Sequence, residues 1–466
     1  MPSSTTAANR DAEGFAWRRD RFQQIVDDAL DVARRVGASD AAAEVSEGVG
    51  LSVSVRKGAI ENVERNRDKS LGVSVYIGQR RGNANTSDFS RAALEQTVRA
   101  AYDIARFTAE DPAAGLPEVE DLAFGAAAER DLDLFHPWPI VAEQAVEIAQ
   151  RCEAAALEVD RRITNSDGAG VSVQQSHFIM ANSRGFRGGY ASSRHSLSVA
   201  PIASLPGKGG DDMQRDAWYT SMRSPDDMAA PEAVGRYAAE RALSRLRSRK
   251  IATAEVPVLF ESTVAAGLLG SLVQAVSGGA LYRKSSFLLD SLGQQVLAPH
   301  LDVHENPHIP RGKGSSPFDD EGVTTRAREV VQGGVLQGYF LSSYSARKLG
   351  MRTTGHAGGS QNLTLTSRLT QPGDDLEAML RKLHRGLFVI ELMGQGVNQV
   401  TGDYSRGAAG FWVDQGRIVH PVHEITIAGN LRDMLKGIVA VGADAYTGGT
   451  KTLGSVLVER MKLAGS

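Results

Sequence analysis

The sequence predicts an α+β protein: an N-terminal unit of two related helix/strand halves, followed by a β-rich C-terminal domain. Three observations carry that prediction. The order helix, strands, helix occurs twice, in residues 21–110 and again in 140–250. After the basic run "RLRSRK" the chain turns to short β-like runs divided by glycine. The 49 glycines also exceed the usual share, favouring turns and close backbone approaches over long helices. A chain of 466 residues is long enough for two or three cores.

Residues 1–20 are rich in small polar types and are expected to form a disordered extension ahead of the domain spanning 21–250. "RFQQIVDDALDVARRVG" sets Phe22, Ile25, Val26, Ala29, Val32, Ala33 and Val36 on one helical face, with Gly37 as the stop. "LSVSV" (51–55) and "LGVSVYIG" (71–78) alternate at period two, as half-buried strands do. The connection between them, "RKGAIENVERNRDKS", is expected to hold a further short strand and a polar turn. "SRAALEQTVRAAYDIARF" returns to helical spacing. The stretch "TAEDPAAGLPEVED" (108–121) reads as a linker. The second half repeats the order with a helix over 141–160, strands in "GVSVQQSHFIMAN" and "SLSVAPIAS", and a helix over 230–250. The domain over 251–466 begins with a buried strand, "VPVLFES", and the helical "TVAAGLLGSLVQAV". Many short strands follow, with Asp414-Gln415-Gly416 as a hairpin turn.

Composition narrows the function classes. A net charge of −3 gives no electrostatic reason to expect nucleic acid or an anionic membrane. The single cysteine, Cys152, rules out an internal disulfide framework and any cysteine metal cluster, and suits a reducing compartment. No window approaches the ~18 apolar residues of a membrane span, and the start lacks the apolar core of a secretory signal. The expected location is the cytoplasm.

Several motifs call for a test. "MGQGVNQVTGDYSRGAAGFWV" (393–413) begins like a dinucleotide loop, but Gln399 stands where the third glycine should be and β-like residues follow where a helix should open. "RGKGSS" lacks the spacing of a P-loop, and no Gly-x-Ser-x-Gly elbow occurs. "HENPH" (304–308) matches a zinc-binding His-Glu-x-x-His. Pro307 would nonetheless sit inside the required helix at a cost of ~3 kcal/mol, so the segment should be extended. With His300 nearby, two readings stay open: a loop-borne metal site on His300, His304 and His308, or a solvated loop. In "HPVHE" (420–424), His420 and Glu424 are expected on one strand face and His423 on the other. Asp319, Asp320 and Glu321 in "PFDDEG" could bind a cation or amine, or simply form a turn closed by Gly322. Arg283 and Lys284 in "LYRKSS" suit a carboxylate or a carbonyl, or a solvated helix end. In the glycine stretch, Gly394 and Gly396 let backbone turn and approach closely, and Asp403, Tyr404 and Arg406 could hydrogen-bond an extended strand. An Asp–Arg pair satisfied within its own turn is the alternative.

"LLGSLVQAVSGGALYRKSSFLLDSLGQQV", "PFDDEGVTTR", "SYSARKLG", "TTGHAGG", "ELMGQGVNQVTGDYSRGAAGFWV" and "EITIAGNL" together closely resemble the TldD/PmbA family, on its PmbA (TldE) branch. The likeness is dense over 255–460 and colinear, though weaker, before that. It implies one subunit of a heterodimeric cytoplasmic metallopeptidase, the "modulator of DNA gyrase" family, acting on unfolded or small peptides, as in peptide maturation and antitoxin degradation. In that family the TldD subunit carries zinc on a His-Glu-x-x-x-His helix plus a later cysteine. Counted back from Tyr282, those helix positions fall on Gly270, Ser271 and Ala275, and no cysteine follows Cys152. The resemblance therefore implies no catalytic or metal-binding residue in this chain, zinc in a TldD-type partner, an extended peptide substrate, and a homodimer when the chain is alone. A self-sufficient metallopeptidase built on the His300/His304/His308 loop, or a free-standing regulatory binding protein, are the alternatives.

Overall fold

The computed structural model describes residues 14–206 and 212–465. The chain forms two compact units. The first runs up to Leu243 and takes in two short returns, Pro310–Gly312 and Ser316–Thr325; the second holds the remaining residues from Ser244 onward.

In the first unit, α1 (Arg19–Val36) buries Phe22, Ile25, Val26, Ala29, Val32 and Ala33, the stripe its spacing predicts, and ends at Gly37. The strands β1 (Asp40–Arg56), β2 (Ala59–Ile77) and β3 (Arg80–Thr86) follow, then α2 (Arg91–Phe107), capped by Ser90. The second half supplies α3 (Ala142–Leu157), β4 (Ile163–Asn182), β5 (Arg187–Gly188), β6 (Ala191–Leu205), β7 (Asp212–Arg215), β8 (Trp218–Met222) and α4 (Pro231–Ser244). Both halves share one antiparallel sheet ordered β3-β2-β1-β4-β6-β7, with β5 added to β4 and β8 to β6. Every second residue of β1, β4 and β6 is buried against the helical layer, while the residues between them face the other way.

Two expectations are corrected here. The extension is ordered from Gly14 onward, and α1 already begins at Arg19; residues 1–13 lie outside the described ones. The backbone N–H groups of Ala16 and Trp17 donate to the Glu47 carboxylate at 3.0 Å, and Phe15 packs on Phe135 and His177. Aromatic side chains and a buried acceptor order a segment whose composition is mostly small and polar. Nor is there a separate short strand between 56 and 70. β1 and β2 form one long hairpin turning at Lys57-Gly58, and the first half of β2 is exposed on both faces. It therefore carries no apolar alternation to read. Glu153 of α3, almost wholly buried, accepts from the N–H groups of Lys57 and Gly58 at 2.9 Å and ties the hairpin tip to the helical layer.

The second unit has β9 (Ala254–Phe260), α5 (Ser262–Ala275), α6 (Gly278–Tyr282), β10 (Leu301–Glu305), β11 (Arg328–Gln332), β12 (Val335–Leu336) and α7 (Ser343–Lys348). It continues with β13 (Leu363–Ser367), α8 (Leu376–Leu383), β14 (Gly386–Met393), β15 (Asp403–Asp414), β16 (Arg417–Asn430) and α9 (Leu431–Lys436). β17 (Ile438–Val441), β18 (Tyr446–Gly448), β19 (Lys451–Leu453) and β20 (Val456–Ala464) complete it. One sheet is ordered β12-β11-β10-β13-β19-β18. The other runs β16-β15-β14-β9-β20, and a pairing of β16 with β20 closes it into a five-stranded barrel, with β17 attached to β20. Closure removes the free edges that short open sheets expose. α5 packs Ala265, Leu268, Leu269 and Leu272 into the core of this unit. The expected turn at Asp414-Gln415-Gly416 does join β15 to β16. The alternation expected for "HPVHE" does not hold: the β15–β16 register slips between Ala408 and Gly410, leaving His423 and Glu424 in a bulge, with Glu424 at a φ of 52°.

Two glycines set the distance between layers in the first unit. A Cβ on Gly82 of β3 would run into the Ala101 carbonyl of α2, and one on Gly235 of α4 into the Cys152 carbonyl of α3. Gly82→Ala is expected to cost about 1–3 kcal/mol by forcing α2 off the sheet. Gly72→Ala, where the same atom meets open space, should stay within about 0.5 kcal/mol of wild type. Urea-denaturation midpoints of the two variants check both values.

Candidate functional site

The zinc-type helix positions are on α5. Gly270 offers no side chain, the Ser271 hydroxyl donates back to the Gly267 carbonyl at 3.0 Å, and Ala275 is a buried methyl in the core. Lys451, at the start of β19, brings its Cε to 3.8 Å from where a Gly270 Cβ would stand, and burial lowers the pKa of its ammonium. A divalent zinc ion needs three or four imidazole, thiolate or carboxylate donors. Here the helix supplies none and a cation borders the position, so these residues do not fit zinc. Among the described residues, no cluster of three or more His, Cys, Asp or Glu could hold a metal ion. Lys451 is absent from the sequence-based candidates. Its only signal there is a lysine in a glycine-rich run, "TGGTKTLG", far along the chain from α5.

The histidines of the alternative reading are dispersed. "HENPH" forms no helix, as expected, but only its first two residues are extended: His304 and Glu305 end β10, and Pro307 and His308 form a turn. His300 bonds to Ser367 Oγ and the Ile438 carbonyl, and His304 pairs at the surface with Glu329 at 2.8 Å. Strand alternation turns Glu305 to the inside. It is fully buried, with Oε2 bonded to His356 Nε2 at 2.9 Å and Arg328 Nε at 2.8 Å, and Oε1 to the Gln361 N–H at 2.8 Å. Thr354 Oγ1 lies 2.8 Å from His356 Nδ1, Arg328 reaches the Tyr339 carbonyl, and its guanidinium lies over the Phe340 ring. Every polar atom of the carboxylate is used internally, which makes the cluster a buried ionic brace of the second unit.

The glycine stretch also spends its close approaches inside the chain. A Cβ on Gly396 would collide with the Ser405 carbonyl, and the N–H groups of Ser405 and Asn398 donate to Gly396 and Asp403 across the loop. Tyr404 is part of the core, and burial pushes its hydroxyl up to about 12. Asp403 binds Thr401 and Asn430, and Arg406 donates to the Leu392 carbonyl, so no Asp–Arg pair forms. Of these three, Asp403 alone is exposed, and Gly394 and Gly396 are exposed as well. Arg283 and Lys284 are exposed at the end of α6, with Arg283 over the Tyr282 ring. Their loop and the glycine loop meet at Phe287, whose N–H donates to the Gln399 carbonyl. Asp319, Asp320 and Glu321 belong to the first unit. Asp319 is buried and accepts from the N–H groups of Glu321 and Val323, forming the turn that Gly322 closes. Asp320 is exposed. Cys152 is wholly buried in α3, and burial, aided by Glu232 and Glu153, pushes its thiol up to about 12. It is no nucleophile.

Three family models match in succession: PmbA/TldA metallopeptidase domain 1 over residues 41–105, the central domain over 135–246 and the C-terminal domain over 253–465. Fold and matches define a peptidase-related protein. The chain belongs to the PmbA/TldD metallopeptidase family. It is 49% identical to Metalloprotease PmbA of Escherichia coli O157:H7 over 96% of this chain and 97% of that one. A modulator of DNA gyrase from Bacteroides thetaiotaomicron shares the fold at a TM-score of 0.89 and 26% identity, over 96% of this chain and 99% of that one. TldE from Thermococcus kodakarensis is similar in fold at a TM-score of 0.79 and 18% identity, over 95% and 100%. No helix among the described residues is long and apolar enough to cross a membrane.

The buried brace predicts a pH dependence. Burial lowers the pKa of the His356 imidazole below its ordinary 6.5, with Glu305 opposing. Burial would raise Glu305, but His356 and Arg328 outweigh it and hold the carboxyl below its ordinary 4.5. The unfolded chain therefore binds protons at both groups at higher pH than the folded one. Their contribution is complete above about pH 6.5 and is lost as pH falls, first through His356 and then through Glu305. His356→Gln should flatten the decline in unfolding free energy between pH 6.5 and 5. Glu305→Gln should cost about 3–5 kcal/mol at neutral pH by stranding Arg328. Urea titrations at several pH values measure both, and an undiminished slope in His356→Gln would assign the dependence to other groups.

Proposed function

We propose that this chain is the non-catalytic partner subunit of a cytoplasmic metallopeptidase, completing a TldD-type zinc subunit that cleaves unfolded or small peptides. One observation carries the reading: the α5 positions that would bear a zinc site hold Gly270, Ser271 and Ala275, with the Lys451 ammonium beside them. A positive side chain at that place disfavours a second cation and leaves no donor to activate water. Membership of a metallopeptidase family supports the peptide substrate class. The engagement of His300 and His304 by separate partners weighs against a self-sufficient zinc enzyme. Zinc is then the cofactor of the partner and not of this chain. The single buried cysteine suits a reducing compartment.

The test is to purify this chain, a tagged TldD-type subunit and their mixture, and to assay an unfolded peptide substrate with each. Stoichiometric co-purification is expected, with chelator-sensitive cleavage that depends on the zinc subunit and less than one zinc per copy of this chain. Chelator-sensitive cleavage by this chain alone would overturn the proposal.

A further inference from the structure

One face of the first unit's sheet is covered by helices; on the other, Phe178 and Met180 of β4 pack with Phe318, and the rest is polar. Between β1, β4 and β6 that surface is made of Gly48, Gly50, Ser52, Ser172, Ser176 and Ser196, brought side by side by the strand register. Its middle is positively charged. His195 pairs with Met222, and the same register sets Arg194 of β6 opposite Arg223, just past the end of β8. Like charges directly opposite on a sheet are destabilising. No carboxylate of the described residues forms an ion pair with Arg194, which donates to Ser221 Oγ at 3.4 Å. Arg223 is held from behind, donating to the Ser193 carbonyl at 3.2 Å and reaching the Gly312 carbonyl at 3.5 Å. Burial lowers the pKa of both guanidiniums, that of Arg223 to about 10 with Arg194 contributing. Gln174, opposite Arg194 on β4, leans over Gly50.

We propose that Arg194, backed by Arg223, anchors a carboxylate of an extended peptide lying on this open face. The proposal rests on the peptide-handling reading above and adds the group by which the peptide is held. A planar guanidinium matches a carboxylate through two parallel hydrogen bonds, and the missing negative charge would relieve the opposed pair. The flanking hydroxyls and the Gln174 carboxamide are suited to peptide N–H and C=O groups. Phosphodiesters are disfavoured, because the chain as a whole carries −3.

The test measures binding of a labelled six-residue Ala/Ser peptide to the full chain by fluorescence anisotropy, without the zinc subunit. The peptide is used as the free acid, as the C-terminal amide, and as an amide ending in Glu. The free acid should bind at least about tenfold more tightly than the plain amide, a difference Arg194→Gln abolishes and Arg194→Lys keeps in part. Tight, Arg194-dependent binding of the Glu-ending amide would identify a side-chain carboxylate as an equally good ligand; weak binding would restrict the anchor to the C-terminus. Relief of the opposed charges should leave the urea midpoint of Arg194→Gln unchanged or raised. Equal binding of acid and amide, discrimination that survives Arg194→Gln, displacement by an equimolar ten-nucleotide single strand, or no binding at millimolar peptide would each overturn the anchor. None of these outcomes touches the subunit reading, which stands or falls on cleavage in the mixture.

Discussion

The ladder between β1 and β4, in register from Ala42 opposite Asn182 to Val55 opposite Ala169, is the constraint on which the first unit depends. It fuses two helix-strand-helix halves through their innermost strands, so both must turn their apolar residues to the same side. A slip of one residue would invert every side chain on one half. The register also sets Glu47 opposite His177, whose ring lies under Phe15 and under Phe22 of α1. Most polar groups there are satisfied, although the buried His195 Nδ1 has no hydrogen-bond partner among the described residues. Glu47 takes the N–H groups of Ala16 and Trp17 and the guanidinium of Arg67; Ser193 and His195 bond the backbone of residues 134–136. Two irregular segments thus cover these groups, and the opposite face is polar beyond the cluster of Phe178, Met180 and Phe318.

Much of this was legible in the sequence, for identifiable reasons. Helical stripes such as Phe22 to Ala33 and period-two runs such as Leu51 to Val55 report burial on one side, and burial is what the apolar pattern encodes. Where burial is absent or symmetric, the pattern is silent. The first half of β2 has no buried face, and its pairing with β1, which includes the Arg67–Glu47 ion pair, carries no apolar alternation. The bulge at His423 and Glu424 depends on how β15 and β16 align, which neither strand carries by itself. The ordering of residues 14–18 depends on a carboxylate that enters the chain some thirty positions later.

The candidate site shows the same limit. Family likeness located the empty ligand positions on α5, because those rest on local spacing. It did not reveal Lys451, brought to that helix from the far end of the chain, nor the joining of Glu305, Arg328 and His356, each in a different segment. "HENPH" drew attention as a zinc motif, yet the strand turns its glutamate inward and its first histidine outward. In both places the second unit keeps charge at a position the sequence motifs single out: a lysine at the helix, and a neutralised carboxylate in the interior. The glycines between Gly394 and Gly410 serve the fold in a related way, letting a loop lie against its own strand where any side chain would strike a carbonyl.

The solitary thiol has a practical side. Cys152 is sealed beneath α4, close to Gly235, with its proton held far above physiological pH. Alkylating reagents attack thiolates, so the native protein offers them essentially no background. Any cysteine introduced on the surface becomes a unique handle for a spin label or fluorophore, with no need to strip the wild-type residue first. The feature that removes this chain from thiol chemistry thereby makes it a clean host for measuring distances in solution.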